Sequence, residues 1–152
     1  MSSLPDSLAV FVTPHGFGHA ARACAVIEAL SARRPVAAHV FTTAAEWFFA
    51  DSLRVPWTYH AVRTDIGLVQ RDALDEDPAA TARELDRFLP FDAALVDRLA
   101  AELRVLGCAA VLCDIAPLGI AVARAAGLPV ALVENFTWDW ICLLYTSPSP
   151  RD

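Results

Sequence analysis

The stretch Val10-Phe-Val-Thr-Pro-His-Gly-Phe-Gly-His-Ala-Ala-Arg22 decides the fold, because an apolar strand runs through a glycine-containing turn into a helix of small residues. Gly16 and Gly18 tolerate backbone angles that a Cβ would forbid. They let a ligand approach the main chain where the first helix presents its free N–H groups. His19 and Arg22 add a titratable donor and a fixed positive charge at the same edge. Open α/β sheets bind ligands at the carboxyl ends of their strands, so this turn marks an anion or sugar site. The plainer alternative is a βα turn that uses glycine only to turn.

Outward from this unit, strand and helix patterns alternate. Leu8 to Thr13 is a continuous apolar strand, and Ala20, Ala23, Cys24, Ile27 and Leu30 recur at helical spacing until Arg33-Arg34-Pro35 ends the helix. Val36 to Thr42 predicts a second strand, Thr43 to Leu53 a short helix with Trp47 and Phe48 facing inward, and Trp57 to Val62 a third strand. Trp47 and Trp57 are expected in the core. Arg63 to Leu74 has neither period and predicts an ordered loop around Gly67. Asp77-Pro78 supplies an N-cap and a proline at the first helical position, and Pro90 stops that helix near Leu89. A further helix runs from about Phe91 to Leu106, with Leu95, Leu99 and Leu103 on one face and Gly107 as its cap. Ala109 to Asp114 is a fourth strand, Pro117 to Ala126 a helix capped by Gly127, and Pro129 to Val133 a fifth strand. The pattern predicts an α/β, doubly wound parallel sheet, Rossmann-like in class. Pro14 to His19, Thr42 and Thr43, the Asp65 loop, Asp114 and Glu134-Asn135 should converge on its carboxyl edge.

Composition narrows the partners. The chain has 152 residues, 56% of them hydrophobic, and a formal charge of -6. Mean hydropathy is +0.42, which fits a well-buried sheet. The 12 basic residues, all arginine, are outnumbered by 18 acidic ones, so no basic footprint for nucleic acid is present and no nucleic-acid partner is expected. No apolar run has transmembrane length, and Met1-Ser-Ser-Leu-Pro-Asp lacks the charged start of a signal peptide, so a cytoplasmic protein without a transmembrane segment is expected. Cys24, Cys108 and Cys113 lack C-x-x-C spacing and read as reduced core thiols.

The segment Cys142-Leu-Leu-Tyr-Thr-Ser-Pro-Ser-Pro-Arg-Asp152 resembles a translated sequencing adapter of the transposase type used in library preparation. On that reading residues 1–141 are a Rossmann-like N-terminal domain, residues 142–152 are an artefact, and the natural protein continues past Ile141. A genuine Pro/Ser-rich tail is the alternative.

Two familiar chemistries fit poorly. Gly16-Phe-Gly-His-Ala-Ala21 nearly satisfies G-x-G-x-x-A, but the end of the second strand holds Thr42-Thr43 where a dinucleotide site wants an acidic residue. An H-x-G-H nucleotidyltransferase motif needs its first histidine at position 16, and His15 falls one place early.

Four runs carry a third reading: His15 to Arg22, Asp65-Ile-Gly-Leu-Val-Gln-Arg-Asp-Ala-Leu74, Cys113-Asp114-Ile-Ala-Pro117, and Glu134-Asn-Phe-Thr-Trp-Asp-Trp-Ile141. Together, and in this order, they resemble the N-terminal glycosyltransferase-like domain of L-arabinokinase-type proteins and their stand-alone bacterial relatives. The resemblance implies the N-terminal half of a GT-B fold. In that fold this half holds mostly the acceptor, and a C-terminal domain of the same chain, missing here, grips the donor nucleotide. It further implies a sugar or nucleotide-sugar ligand and metal-independent chemistry with no cofactor.

Carried over by position, Gly16, Phe17, Gly18 and His19 form the glycine turn, with His19 as general base or acceptor contact, since histidine titrates near neutral pH. Arg22 would hold a phosphate or serve as a salt-bridge partner. Asp114 would accept a sugar hydroxyl or cap the helix that follows. Asp65, Gln70 and Arg71 would contact substrate or keep their loop ordered. Asn135, Trp138 and Asp139 match an Asn-Phe-Ser-Trp-Asp pattern, with Thr137 in place of serine. Ala21 stands where the family more usually has threonine. The half-enzyme is expected to be inactive alone. The competing expectation is a sugar or sugar-nucleotide recognition module attached to a sugar kinase.

Overall fold

Residues along the first strand alternate between two apolar layers. Ala9 and Phe11 pack on one face of the sheet and Val10 and Val12 on the other, all fully buried, as a central strand covered on both sides requires. The computed structural model describes residues 6–72 and 74–134. Its elements run β1 (Asp6–Val12), α1 (Phe17–Ser31), β2 (Val36–Thr42), α2 (Glu46–Ser52), β3 (Trp57–Ala61), α3 (Pro78–Phe88), α4 (Ala93–Val105), β4 (Cys108–Asp114), α5 (Pro117–Ala126) and β5 (Val130–Val133).

All five strands are parallel, in the order β3-β2-β1-β4-β5. This is the expected α/β Rossmann-like sheet. Val10 aligns with Val40 of β2 and Leu112 of β4, so the strand order reverses at β1. The α1 and α2 side buries Ala20, Ala23, Ile27 and Phe49. The opposite side buries Leu99 and Leu103 of α4 and Leu118 and Val122 of α5 against Phe11 and Phe41, whose rings stack at 4.6 Å. Asp77 caps α3 by accepting from the Ala80 N–H, and Asp92 caps α4 by accepting from the Ala94 N–H. That cap starts α4 at Ala93, two residues later than the apolar spacing predicts.

Trp47 departs from expectation: it is 58% exposed and not in the core. The Thr42 hydroxyl accepts from the Ala44 N–H in a turn, so α2 starts only at Glu46 and has seven residues. A helix that short buries one face. Phe49 takes it, and Trp47, two residues earlier, falls about 200° round the helix. Trp57 is half-buried beside Phe49. Cys24, Cys108 and Cys113 are buried free thiols. Burial pushes Cys24 and Cys108 up to about 11 and Cys113 up to about 12, so all three stay protonated at neutral pH.

At the β3 edge a polar chain joins His39 Nδ1 to Thr58 Oγ1 (2.6 Å), Thr58 Oγ1 to His60 Nε2 (3.1 Å), and His60 Nδ1 to Glu102 Oε1 (2.8 Å). Burial, and then the charge of His60, lower the His39 pKa below its ordinary 6.5, while Glu102 opposes them. Below that value the unfolded chain takes up the His39 proton more readily than the folded one, so stability falls as pH drops. The melting temperature is expected to decline from pH 7 to 5.5, and His39→Gln to flatten that decline. An equal decline in the variant would exclude His39 as its source.

Candidate functional site

The site grows from the end of β1. Thr13 is buried; its N–H donates to the Asp114 carbonyl (3.0 Å) and its hydroxyl to Asp65 Oδ2 (2.9 Å). The chain then turns through Pro14 and His15 to Gly16, which sits at φ 91°, ψ 149° as the N-cap of α1. Only glycine takes that conformation readily. Gly18, in contrast, is an ordinary helical residue in the first turn, and open space surrounds the position its Cβ would occupy. Among the described residues no side chain caps α1, and no acidic residue of the helix occupies its first turn, so its N-terminal dipole favours an anion nearby.

His19 and Arg22 lie three residues apart on α1 and meet the same carboxylate. His19 Nδ1 is 2.8 Å from Asp114 Oδ1, Arg22 Nε 2.6 Å from Oδ2, and Arg22 Nη2 2.6 Å from Oδ1. Asp114, at the end of β4, is 1% exposed, against 24% and 25% for the side chains of His19 and Arg22. A buried carboxylate persists as an ion only when paired in this way. The Asp114 hydrogen bond raises the Arg22 pKa against an opposing desolvation, so the guanidinium is permanently charged.

A carboxylate can only accept, which assigns the proton of neutral His19 to Nδ1. Nη2 of Arg22, 3.4 Å from that nitrogen, then faces a donor and is held by Asp114 instead. His19 Nε2 therefore carries the lone pair, and it has no hydrogen-bond partner among the described residues. An imidazole fixed in tautomer by a buried carboxylate in this way has the chemistry to accept a proton at Nε2. Ile115, next to Asp114, is held at φ 44°, a strained conformation for a β-branched residue that turns the chain directly after the carboxylate.

The loop after β3 seals the edge. The Thr64 hydroxyl donates to the Val12 carbonyl (2.6 Å), Asp65 holds Thr13, and Gly67, at φ 60°, packs so tightly under the His15 ring that any Cβ would overlap it. Gln70 and Arg71 lie on the exposed part of this loop: Gln70 bridges to Glu76, and Arg71 pairs with Asp75 and Asp77 at 3.4 Å. The structure thus joins His19, Arg22 and Asp114 directly, ties Asp65 to the same edge through Thr13, and places Gln70 and Arg71 in a network that orders their own loop. Phe17 is 52% exposed and stacks on Phe48 (5.1 Å) beside Trp47 (5.5 Å). Asn135, Trp138 and Asp139 lie outside the described residues.

Asp114 does not cap α5, whose N-cap position is Ala116 and which has no side-chain cap. Thr13, Thr64 and Trp47 belong to this edge without having been singled out for it. A hydroxyl residue closing an apolar strand was the available signal for Thr13 and the only one. Among the described residues no group of three or more His, Cys, Asp or Glu side chains is arranged to hold a metal, and no helix is long and apolar enough to cross a membrane.

The chain matches no protein-family model. It is 32% identical over 139 residues to L-arabinokinase of Arabidopsis thaliana, a match that covers 90% of this chain and 13% of that protein. Its fold is similar to that of Phytolacca americana UGT2 complexed with UDP-2-fluoro-glucose and pterostilbene. That likeness has a TM-score of 0.58 and 18% identity, and it covers 95% of this chain and 33% of the other. Apo UGT2 from the same plant aligns with a TM-score of 0.52 and 17% identity, over 92% of this chain and 31% of the other.

Proposed function

We propose that this chain is the N-terminal, acceptor-side domain of a GT-B-type glycosyltransferase-like protein, with His19 as the base. The His19–Asp114 contact carries the reading. It leaves Nε2 as the proton acceptor and places a carboxylate behind Nδ1 to stabilise the imidazolium that forms. An acceptor hydroxyl bound at this edge gives its proton to Nε2 as its oxygen bonds to the anomeric carbon of a nucleotide sugar. The bond from that carbon to the diphosphate breaks, and the nucleoside diphosphate leaves with the electron pair. The uncapped N-terminus of α1, reached over Gly16 and Gly18, favours negative charge accumulating nearby.

The likeness to UGT2, a structure that holds a UDP-sugar analogue and a phenolic stilbene, supports a nucleotide-sugar donor and a hydroxylated acceptor. Donor binding belongs to a C-terminal half, so the 152-residue chain alone is expected to transfer no sugar.

In a protein that joins this domain to a donor-binding half, His19→Ala should lower kcat/KM for nucleotide-sugar transfer by about 10²- to 10⁴-fold. A variant as active as its parent would remove His19 from the chemistry. The likeness to L-arabinokinase favours a second reading, in which the domain binds a sugar and serves an attached kinase. On that reading the chain binds free sugar, and His19→Ala weakens this binding without any transfer activity to lose.

A further inference from the structure

We infer that Arg22 sets how tightly His19 holds its proton: by engaging both oxygens of Asp114, it draws the carboxylate's charge away from the imidazole and keeps His19 a neutral base. The inference rests on the reading of His19 as base, and it names Arg22 as a positioning residue that acts through Asp114.

The geometry supports it at three points. First, Arg22 makes two contacts of 2.6 Å to the carboxylate, one to each oxygen, while His19 makes a single longer one of 2.8 Å. A bidentate guanidinium pair is the stronger partner for a carboxylate. Second, His19 and Arg22 share the same oxygen, Oδ1, so charge committed to one is withdrawn from the other. Third, Nη2 lies 3.4 Å from Nδ1, so protonating His19 brings a second cation against a fixed one around a carboxylate that is 1% exposed and little screened. Without Arg22, the buried carboxylate directly behind Nδ1 would face His19 alone and favour its protonated form.

Among the described residues, the other ionisable groups on this edge are His15 in the turn, Asp65 on the loop after β3 and Glu134 beyond β5. Asp65 accepts from Thr13 and from the Ile66 N–H, and His15 lies against Gly67. Neither makes a hydrogen bond or ion pair with the His19 ring, whose polar partners among the described residues are Asp114 and Arg22.

The test is a titration of the His19 imidazole by ¹⁵N-edited NMR in the full 152-residue chain, with far-UV circular dichroism as the check on folding. In Arg22→Gln the His19 midpoint should rise by about 1 pH unit, because Asp114 then faces His19 alone. Arg22→Lys keeps the charge but not the fork, so its midpoint should rise by a few tenths of a pH unit, on the order of a third of the glutamine effect. An unchanged or lowered midpoint in folded Arg22→Gln would overturn the inference. If the glutamine variant does not fold, the lysine variant decides, a rise supporting the inference and no rise overturning it. This readout is independent of sugar transfer. The expected shift together with an active His19→Ala enzyme would sink the proposed function and leave the electrostatic coupling intact, whereas no shift together with an inactive His19→Ala enzyme would do the reverse.

Discussion

Asp114→Ala is expected to destabilise the domain by about 3 kcal/mol and, on the proposed reading of His19 as base, to disable a transferase built on it in the same step. The carboxylate is 1% exposed and neutralises Arg22, so its loss leaves a mostly desolvated guanidinium without its bidentate partner. Breaking a buried pair in this way costs about 3–5 kcal/mol, and the low end applies because a quarter of the Arg22 side chain meets solvent. His19 loses the acceptor that fixes its tautomer, so a transferase built on this domain should slow by about 10²- to 10⁴-fold. Asp114→Asn separates the two effects. Its amide oxygen still accepts one hydrogen bond, while its NH₂ opposes a donor, so it should retain more stability than the alanine variant and recover little activity. Urea unfolding with intrinsic tryptophan fluorescence measures the first quantity. An alanine variant within about 0.5 kcal/mol of the parent would mean that the pair contributes no more than an exposed one does.

The second large effect falls on the other side of the sheet. Gly119 in α5 approaches β1 and β4 so closely that a Cβ there would lie 2.6 Å from Phe11 Cγ, 2.6 Å from Cys113 Sγ and 2.8 Å from Phe11 Cβ. Two effects of opposite sign meet here. Gly→Ala inside a helix ordinarily stabilises by up to about 1 kcal/mol. Overpacking a filled core costs about 1–3 kcal/mol, and Phe11 cannot swing aside because its ring is stacked on Phe41, which is stacked in turn on His60 at 4.2 Å. Overlap wins, and Gly119→Ala should lose about 1–2 kcal/mol; the larger Gly119→Val should lose about 3 kcal/mol or more. A Gly119→Ala variant that melts above the parent would show that α5 can lift off the sheet without penalty.

The legible part of this fold was the part governed by burial and by chain stereochemistry. The continuous apolar strand at Leu8 to Thr13, the helical spacing from Ala20 to Leu30, Asp77-Pro78 as a helix start and Gly127 as a stop each follow from a local rule, and each stands within a residue or two of its expected place. Trp47 failed because a two-turn helix has one buried face, and its choice of face depends on where the preceding turn ends. Of the two glycines in the first turn, Gly16 carries the unusual backbone angles and Gly18 is an ordinary helical residue. At the site, His19, Arg22 and Asp114 were each identifiable as candidates at a strand end. Their convergence on one carboxylate was not, because it depends on α1 and β4 meeting across the sheet. Gln70 and Arg71 carried the same kind of signal as Arg22, yet close their own loop through Glu76, Asp75 and Asp77. Residue type and strand-end position do not separate those two outcomes.

The reversal of strand order at β1 has a consequence in time. His19 and Arg22 are made early, and Asp114 follows 95 residues after His19. At a synthesis rate of about 5–20 residues per second, the Arg22 guanidinium waits roughly 5–20 s for the carboxylate that pairs with it. Throughout that interval β1, α1 and β2 can pair as a unit while β1 presents an open edge to the future position of β4. The charge that completes the site is thus carried by the strand that closes that edge.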